Sequence, residues 1–460
     1  MSDARPISDT LADFAFNLTF EMIPAPVIRD AKHLFLDAIG VAFASSREPF
    51  ARTIVDSLSD FGDGDSAVIG FDERLPLRDA VIANGALIHG IDFDDTHLAA
   101  VVHPSASAVP TALNVAASLG LNGREVLTAY ILAIECSARL GSVAQGEMNQ
   151  LGFHPTGVIA AFSCAIAAGR LYRLTSQQIA MAQGIALSMA SGTREYSEEG
   201  AWTKRLHPGW GAAAGITAAV LARRGFVGPR KTYEGRFGLF ETHLGSQTRR
   251  YDLAHATHAL GERWAIQEVA VKPLPACHQL IAAIDAAVSI AQSEGFDWRT
   301  IERVEVCVSP HAVAIVCEPQ AAKRAPQSSY ATQFSLHFAV ACGLVRGRFG
   351  LPETEQFHDA DILTLTQRVT YTVDTRDGTP HFGGRVIVTY SDGRSMTRDE
   401  PVPRGSTGNK ISLESIAEKF MANTSLVMSH EDSLRTMHEI LELDHAPDAA
   451  RLLNHLQKKA

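Results

Sequence analysis

Acidic and imidazole side chains are concentrated in one short stretch of the sequence. HGIDFDDTH covers residues 89–97 and is followed by His103. Asp92 and Asp94 could hold a divalent metal, because hard cations take oxygen ligands. Alternatively, Asp92 orients a histidine that moves a proton, as carboxylates do for catalytic imidazoles. The third interpretation is a solvated loop with helix-capping aspartates.

A further histidine lies at the predicted start of an apolar helix. The motif GFHPTG places His154 directly before that helix. The unpaired N–H groups of a helix N-terminus favour a nearby anion and an uncharged imidazole. Taken alone, the motif favours a helix-capping histidine over a catalytic one.

A third stretch combines acidic, basic and aromatic residues. Residues 195–210 read EYSEEGAWTKRLHPGW, and a helix is predicted to open near Pro208. A lysine beside a helix start can hold a substrate carboxylate, and a desolvated lysine shifts its pKa. Lys204 is therefore a candidate binding residue, with Arg205 and His207 beside it. The alternative is an exposed charged loop, and two nearby tryptophans count against that alternative.

The fourth stretch is VKPLPACH, residues 271–278, where a helical first half gives way to a mixed region. Its prolines hold Lys272 on a stiff extended segment, and interdomain clefts are common ligand sites. Cys277 beside His278 could be a nucleophile. Because adjacent residues on a helix point in different directions, we interpret Cys277 as a residue that lines the site rather than as a nucleophile.

The elements that must position these residues are mostly helices. Apolar residues at three- and four-residue steps predict helices, and Thr175 with Gln178 gives a capping-box signature. Small residues are frequent and let helix axes approach closely, so we expect a compact bundle. The helices are predicted over residues 11–20, 27–43, 77–89, 105–119, 126–140, 157–171 and 179–189.

The sequence pattern changes near residue 262. β-branched residues predict strands that alternate with helices, and the chain turns helical again after the prolines at 401 and 403. The strands are predicted over 304–308, 369–373 and 386–390, and the helices over 279–292, 330–345, 413–421, 433–443 and 448–456.

Together these elements predict a mainly α fold. A large all-helical domain is built from both chain ends, residues 1–264 and 399–460. A smaller α+β lid domain, residues 265–398, is inserted into it.

Composition and missing motifs exclude several classes of function. Lys and Arg total 41 against 51 for Asp and Glu, and no basic stripe is present, so nucleic acid is not an expected partner. No GxGxxG, Walker, GxSxG or HExxH motif occurs, which argues against nucleotide cofactors and acyl-serine chemistry. The six cysteines form no CxxC pair, which argues against a zinc ribbon or a disulfide framework.

The longest apolar runs, such as residues 159–168, are too short to span a membrane. The N-terminus, MSDARPISDTLADF, lacks an apolar signal-peptide core. We therefore expect no membrane partner and a cytoplasmic location.

Taken together, these stretches resemble the MmgE/PrpD family. The matching pieces occur in the family's order within residues 89–278: HGIDFDDTH with HPSASAVPTAL, GFHPTGVIAAF, GAWTKRLHPGWGAAAGI, KTYEGRFGLF and VKPLPACH. The family includes 2-methylcitrate dehydratase, cis-aconitate decarboxylase and iminodisuccinate epimerase. The resemblance implies a helical domain with an α+β lid, a homodimer, and no metal or organic cofactor.

The resemblance also implies where the active site lies. Family members often carry a second histidine where Ile281 stands here, and the segment from Thr96 to His103 is one residue longer than in the decarboxylase. Both departures count most against decarboxylation. Carried over residue by residue, the family's active site falls on Asp92, Thr96, His103, His154, Lys204 and Lys272.

The chemistry that the resemblance implies is proton movement, or loss of CO2, at a carbon next to a carboxylate. The enolate-like state that forms needs electrostatic stabilisation. We hypothesise that Lys204 and Lys272 bind substrate carboxylates. Arg205, His207 and His278 complete the substrate-binding set. His103, positioned by Asp92 or Thr96, exchanges one proton, and His154 serves the second proton transfer.

The expected function is a cofactor-independent enzyme for a small di- or tricarboxylate, first of all a 2-methylcitrate dehydratase-like hydro-lyase. Iminodisuccinate epimerase-like and cis-aconitate decarboxylase-like activities are the alternatives. Two further alternatives are a metal-dependent hydro-lyase using Asp92, Asp94 and a histidine, and a non-catalytic helical binding protein.

Overall fold

The computed structural model describes residues 5–248, 251–374 and 382–458. It confirms the predicted mainly α fold. The chain divides into two compact units. The first comprises Met1–Gly90, Asp94–Ala270 and Ser412–Ala460, and the second comprises Ile91–Phe93 and Val271–Ile411.

Helices dominate the part of the first unit that precedes residue 270. Short two-residue strands pair as two antiparallel ladders, β1 with β2 and β3 with β4. The helices are α1 (Ile7–Asn17), α2 (Ala25–Ser45), α3 (Pro49–Ser59), α4 (Leu77–His89), α5 (Ser105–Ser118), α6 (Gly123–Val143), α7 (Glu147–Gln150), α8 (Pro155–Leu171), α9 (Ser176–Ala186), α10 (Tyr196–Glu199), α11 (Thr203–Arg223) and α12 (Leu239–Thr248), and the strands are β1 (Ser66–Ala67), β2 (Arg74–Leu75), β3 (Thr96–His97) and β4 (Val269–Ala270).

The helices predicted in this part are confirmed, most with shifts of a few residues at their ends. The capping box is confirmed, because the Thr175 hydroxyl accepts from the Gln178 backbone N–H. The predicted start of α11 near Pro208 is wrong, since the helix begins at Thr203 and contains the proline. A proline inside a helix removes one backbone hydrogen bond, and the tertiary packing of α11 offsets that loss.

Close backbone contacts hold α11 against two other helices. A Cβ added at Gly209 would lie 2.2 Å from the Ile82 carbonyl oxygen on α4. A Cβ added at Gly215 would lie 2.5 Å from the Ala165 backbone nitrogen on α8. These glycines therefore let α11 pack closely against both α4 and α8.

The second unit contains a four-stranded sheet in the order β6-β5-β7-β8. The β5–β6 pair is parallel and the other pairs are antiparallel. Its strands are β5 (Ile301–Val308), β6 (Val369–Val373), β7 (Gly384–Tyr390) and β8 (Ser395–Glu400), and its helices are α13 (His278–Ala291), α14 (Pro310–Ala312), α15 (Gln320–Arg324), α16 (Ser329–Thr332), α17 (Leu336–Arg346), α18 (Leu351–Thr354) and α19 (Ala360–Thr366), with a π-helical segment at Val313–Cys317.

Two features of this unit differ from the sequence prediction. The single helix predicted over 330–345 is two helices, because the Ser335 hydroxyl caps α17 by accepting from the Phe338 backbone N–H at 3.0 Å. Strand β8 was not predicted. Its sequence, SMTRDE, lies at the sheet edge with no buried position, so it lacks the apolar alternation that marks a half-buried strand.

The chain ends in the first unit with α20 (Leu413–Thr424), α21 (His430–Leu441) and α22 (Ala449–His455). On α20, Phe420 packs against Gly40 of α2, and the Lys419 ammonium lies 2.7 Å from the buried Asp37 carboxylate. Both ends of the chain therefore contribute to one unit. The predicted domain boundaries and the lid role of the second unit stay predictions.

Among the described residues, one helix has the length and apolar composition of a membrane span. It is Gly123–Val143, with a mean hydropathy of 1.4 in its most apolar window, of which 94% is buried inside the protein. Such burial is equally typical of a core helix.

Candidate active site

The loop after α4 carries the acidic residues of the first motif. Ile91–Phe93 belongs to the second unit, whereas the chain on either side belongs to the first. Asp92 has a φ of 50°, in the left-handed region that non-glycine residues rarely adopt. Strained backbone of this kind is concentrated at functional sites.

Within the first unit, Asp94 lies beside two histidines. His89 Nδ1 is 2.7 Å from Asp94 Oδ2, and His103 Nδ1 is 3.5 Å from Asp94 Oδ1. The rings of His89 and His103 also contact each other, with centroids 4.7 Å apart. Both His89 and Asp94 are fully buried, so their contact is shielded from solvent.

The hydrogen bonds of His103 define its tautomer. Its Nδ1 lies 2.8 Å from the Asp95 main-chain oxygen, which can only accept a hydrogen bond. The proton of neutral His103 is therefore on Nδ1, and Nε2 carries the lone pair that can take a proton. Thr96 Oγ1 lies 3.3 Å from the same Nδ1, and the His103 backbone N–H donates to Thr156 Oγ1.

The Asp95 side chain fixes this loop to the start of α5. It bonds the Ser105 hydroxyl and accepts from the Ser105 backbone N–H at 3.2 Å. The Ser105 hydroxyl lies 2.6 Å from the Tyr130 hydroxyl. Burial raises the pKa of Asp95 to about 8, against the opposing effect of the Ser105 hydrogen bond. The carbonyl that orients His103 thus belongs to a residue anchored in the core.

Two more imidazoles continue the group formed by His89 and His103. His154 stacks on His89 with ring centroids 5.5 Å apart, and its Nδ1 lies 2.9 Å from His207 Nδ1. His89, His103, His154 and His207 are called the imidazole cluster below. His154 is the N-cap residue of α8, as predicted, but its side chain makes no capping hydrogen bond.

Burial and positive neighbours keep two of these rings uncharged. Desolvation lowers the pKa of His154 well below its usual value, and His89 and Lys204 lower it further. Desolvation likewise lowers the pKa of His207 to about 4, again with His89 and Lys204 acting in the same direction. Lys204 therefore exerts a positive field on both rings.

The basic residues of the third motif lie in the first turn of α11. Lys204 is 5% exposed and Arg205 is 7% exposed, so for these two residues the interpretation as an exposed charged loop is wrong. The Arg205 guanidinium lies 4.3 Å from the centre of the Phe50 ring, a distance typical of a cation–π contact.

The remaining predicted residues lie in the second unit. Lys272 Nζ donates to the Asp92 main-chain oxygen at 2.7 Å and lies 3.1 Å from Asp92 Oδ2. We call this contact the lysine–aspartate pair. His278 opens α13, and desolvation lowers its pKa to about 3, with Lys272 lowering it further and Asp92 opposing.

The structure thus sorts the nine predicted residues into two groups, one in each unit. Three residues of the HGIDFDDTH motif were not among the nine, namely His89, Asp94 and Asp95. The motif indicated a functional site, but residue spacing alone could not show which of its aspartates lies beside His103. The first unit holds Thr96, His103, His154, Lys204, Arg205 and His207, and the second holds Asp92, Lys272 and His278.

Three residues of the first unit are of types that bind divalent metals. One potential ligand atom from each of His89, Asp94 and His103 lies within 4.8 Å of the others. Imidazole and carboxylate donors suit zinc and similar ions. Of the ligands named for the metal-dependent alternative, the first unit places Asp94 beside two histidines. The absence of a cofactor stays a prediction.

Comparison with known proteins gives two family matches and several similar full-length chains. The MmgE/PrpD N-terminal domain matches residues 9–252, and the MmgE/PrpD C-terminal domain matches residues 274–443. Cis-aconitate decarboxylase-like protein oryM of Aspergillus oryzae is 28% identical over 98% of both chains. Cis-aconitate decarboxylase of Homo sapiens is 27% identical over 98% of this chain and 95% of its own. The 2-methylcitrate dehydratase of Escherichia coli is 22% identical over 97% of this chain and 94% of its own.

Proposed function

Since this chain belongs to the MmgE/PrpD family and is an enzyme, we propose that it is a lyase acting on a small tricarboxylate. The proposed reaction moves a proton at a carbon next to a carboxylate. The observation that carries the proposal is the imidazole cluster beside Lys204, with the tautomer of His103 fixed by the Asp95 carbonyl.

In this proposal His103 is the first proton carrier. Its Nε2 takes the proton from the substrate carbon, because Nδ1 is already bonded to the Asp95 carbonyl. The imidazolium that forms is stabilised by Asp94 Oδ1, 3.5 Å from His103 Nδ1. A positioned acid–base group of this kind accelerates a reaction by about 10²–10⁴-fold.

Lys204 supplies the positive charge that the enolate-like state needs. Its field already lowers the pKa of His154 and His207, and a substrate carboxylate there would be attracted by the same field. Arg205 adds a second buried cation beside it in sequence. The role of Lys272 as a second carboxylate-binding residue stays a prediction.

His154 is the second proton carrier. In a dehydration it would donate a proton to the leaving hydroxyl group. In a decarboxylation it would protonate the carbanion left when CO2 departs. Both reactions need one group that accepts and one that donates, which is why the same cluster supports either.

The two reactions are supported by different observations. The sequence departures at Ile281 and between Thr96 and His103 favour dehydration of 2-methylcitrate. The cis-aconitate decarboxylase and the cis-aconitate decarboxylase-like protein that match the chain are 27% and 28% identical, against 22% for the 2-methylcitrate dehydratase. This difference favours decarboxylation of cis-aconitate. Dehydration remains the first candidate and decarboxylation the second.

A substrate screen in D2O tests the proposal. The purified protein is incubated separately with 2-methylcitrate, cis-aconitate and iminodisuccinate and followed by proton NMR. Conversion of one of the two tricarboxylates, with solvent deuterium entering at a substrate carbon, is expected. Conversion of iminodisuccinate alone would favour the epimerase alternative. No conversion and no deuterium exchange with any of the three would contradict the proposal.

The metal-dependent alternative is tested on the same preparation. Active protein is dialysed against a chelator, its metal content is measured, and its turnover is compared before and after. Turnover that survives removal of the metal supports the cofactor-independent reaction. Loss of turnover that is restored by one divalent metal would support the metal-dependent alternative.

A further inference from the structure

One contact in the imidazole cluster joins two ring nitrogens directly. His154 Nδ1 and His207 Nδ1 are 2.9 Å apart, within hydrogen-bond distance. One ring must donate its N–H and the other must accept with a lone pair. The two rings therefore share one proton along this contact.

The pair connects the interior of the first unit with its surface. His154 is 4% exposed, whereas His207 is half-buried on the first turns of α11. A Cβ added at Gly157 would lie 2.8 Å from the His207 Cβ, so glycine leaves the space that this ring needs. Tyr196 packs against both rings, with centroid distances of 5.8 and 5.9 Å.

We propose that His154 and His207 form a two-imidazole proton wire that exchanges a substrate proton with solvent. The inference rests on the proposed function, in which His154 is the second proton carrier. It gives His207 a transfer role in place of the binding role predicted from the sequence.

The transfer balances without any other reactant. His154 Nε2–H gives its proton to the substrate while His154 Nδ1 takes a proton from His207 Nδ1–H. His207 Nε2 then takes a proton from water. Each ring ends as the other neutral tautomer, and the reverse sequence carries a substrate proton to solvent.

The electrostatics of the pair suit such a wire. Burial keeps both rings uncharged near neutral pH, so each ring holds one N–H and one lone pair. Lys204 is among the groups that lower both pKa values. A bound polycarboxylate near Lys204 would offset that field and ease the transient protonation of either ring.

Two variants of His207 test the wire on the intact protein with its converted substrate. His207→Ala removes the relay and leaves room for a small base, whereas His207→Phe removes the relay and fills the space. Turnover of both is expected to fall by about ten-fold or more. Added imidazole should restore turnover in His207→Ala alone. Near-normal turnover in His207→Phe, or no response of His207→Ala to imidazole, would overturn the proposal.

His243→Ala is the matched control. His243 belongs to the same unit and has a pKa that burial also lowers, but it contacts Phe153 rather than the pair. Its turnover is expected to be independent of added imidazole. An imidazole response equal to that of His207→Ala would mean that rescue is not specific to the pair, and would overturn the proposal.

A measurement without substrate separates the wire from the proposed function. ¹⁵N NMR of the full chain with ¹⁵N-labelled histidine should show a signal from two hydrogen-bonded Nδ1 atoms that share one proton, and this signal should disappear in His207→Phe. If the wild-type protein converts no tricarboxylate, the proposed function fails while this signal still decides whether the proton is shared. Its absence from the wild-type protein would overturn the wire.

Discussion

The imidazole cluster of the first unit and the lysine–aspartate pair of the second unit handle buried charge in opposite ways. In the cluster, His154 and His207 are uncharged because burial and positive neighbours lower their pKa values. In the pair, Lys272 lies 3.1 Å from the Asp92 carboxylate, and both side chains are almost fully buried. The two imidazoles thus remain neutral, whereas the buried charges of Lys272 and Asp92 compensate each other.

This difference separates proton-carrying chemistry from electrostatic support. A neutral imidazole with one N–H and one lone pair can both accept and donate a proton. A compensated buried ion pair gains little net stability but is costly to break, because either partner alone is an unpaired buried charge. Substitutions in the cluster should therefore change turnover most, and substitutions in the pair should change stability most.

The largest effect is expected for His103→Ala. Its Nε2 is the proposed proton acceptor, so turnover on the true substrate should fall by about 10²–10⁴-fold while the thermal midpoint and far-UV circular dichroism stay close to those of the wild-type protein. Steady-state kinetics and a thermal melt check both. Near-full turnover would show that His103 is not the proton carrier.

The next largest effect is expected in the lysine–aspartate pair. Lys272→Met removes the ammonium that lies 3.1 Å from the buried Asp92 carboxylate, which should lower the free energy of unfolding by roughly 3–5 kcal/mol. Urea unfolding measures this loss. The double variant Lys272→Met/Asp92→Asn should recover much of it, since both charges are then gone. Equal losses in the single and double variants would mean that the pair is not a coupled unit.

A smaller effect on turnover is expected for Lys204→Met. Removing a positive neighbour should raise the pKa of His207 from about 4 toward its ordinary value of 6.5. The capture of an anionic substrate should weaken, with kcat/KM falling about ten-fold or more. A ¹⁵N-histidine titration and steady-state kinetics check the two effects. An unchanged His207 pKa would show that Lys204 does not influence the electrostatics of the imidazole cluster.

The smallest effect is expected for Asp95→Asn. The folded protein holds the Asp95 proton up to about pH 8, whereas the ordinary pKa is 3.8. The folded state therefore binds more protons between these values, and stability falls as the pH rises through this window. Because asparagine does not titrate, the variant lacks this pH-dependent loss of stability. Its stability relative to wild type should rise from pH 5 to pH 8, by at most about 1.4 kcal/mol for each pH unit.

Denaturant unfolding at several pH values measures this difference. Parallel pH profiles for the asparagine variant and the wild-type protein would contradict the raised pKa of Asp95.

The residue pattern alone determined the class of fold and the family. Apolar periodicity located the long helices, and the predicted bounds of Leu77–His89 and Val369–Val373 agree with the structure. These signals are local, because a helix or strand that packs on a core carries its period in the sequence. Strand β8 and the break before Ser335 were not predicted, since neither produces a recognisable pattern of apolar residues in the sequence.

Only the tertiary structure decided which of the polar residues act together. The sequence offered three aspartates in one motif, and folding assigned Asp94 to the two histidines, the Asp95 carbonyl to His103, and Asp92 to Lys272. It also placed His154 on His207, which lies 53 positions later. Such contacts depend on how helices pack and how a loop turns, and the spacing of residues along the chain specifies neither.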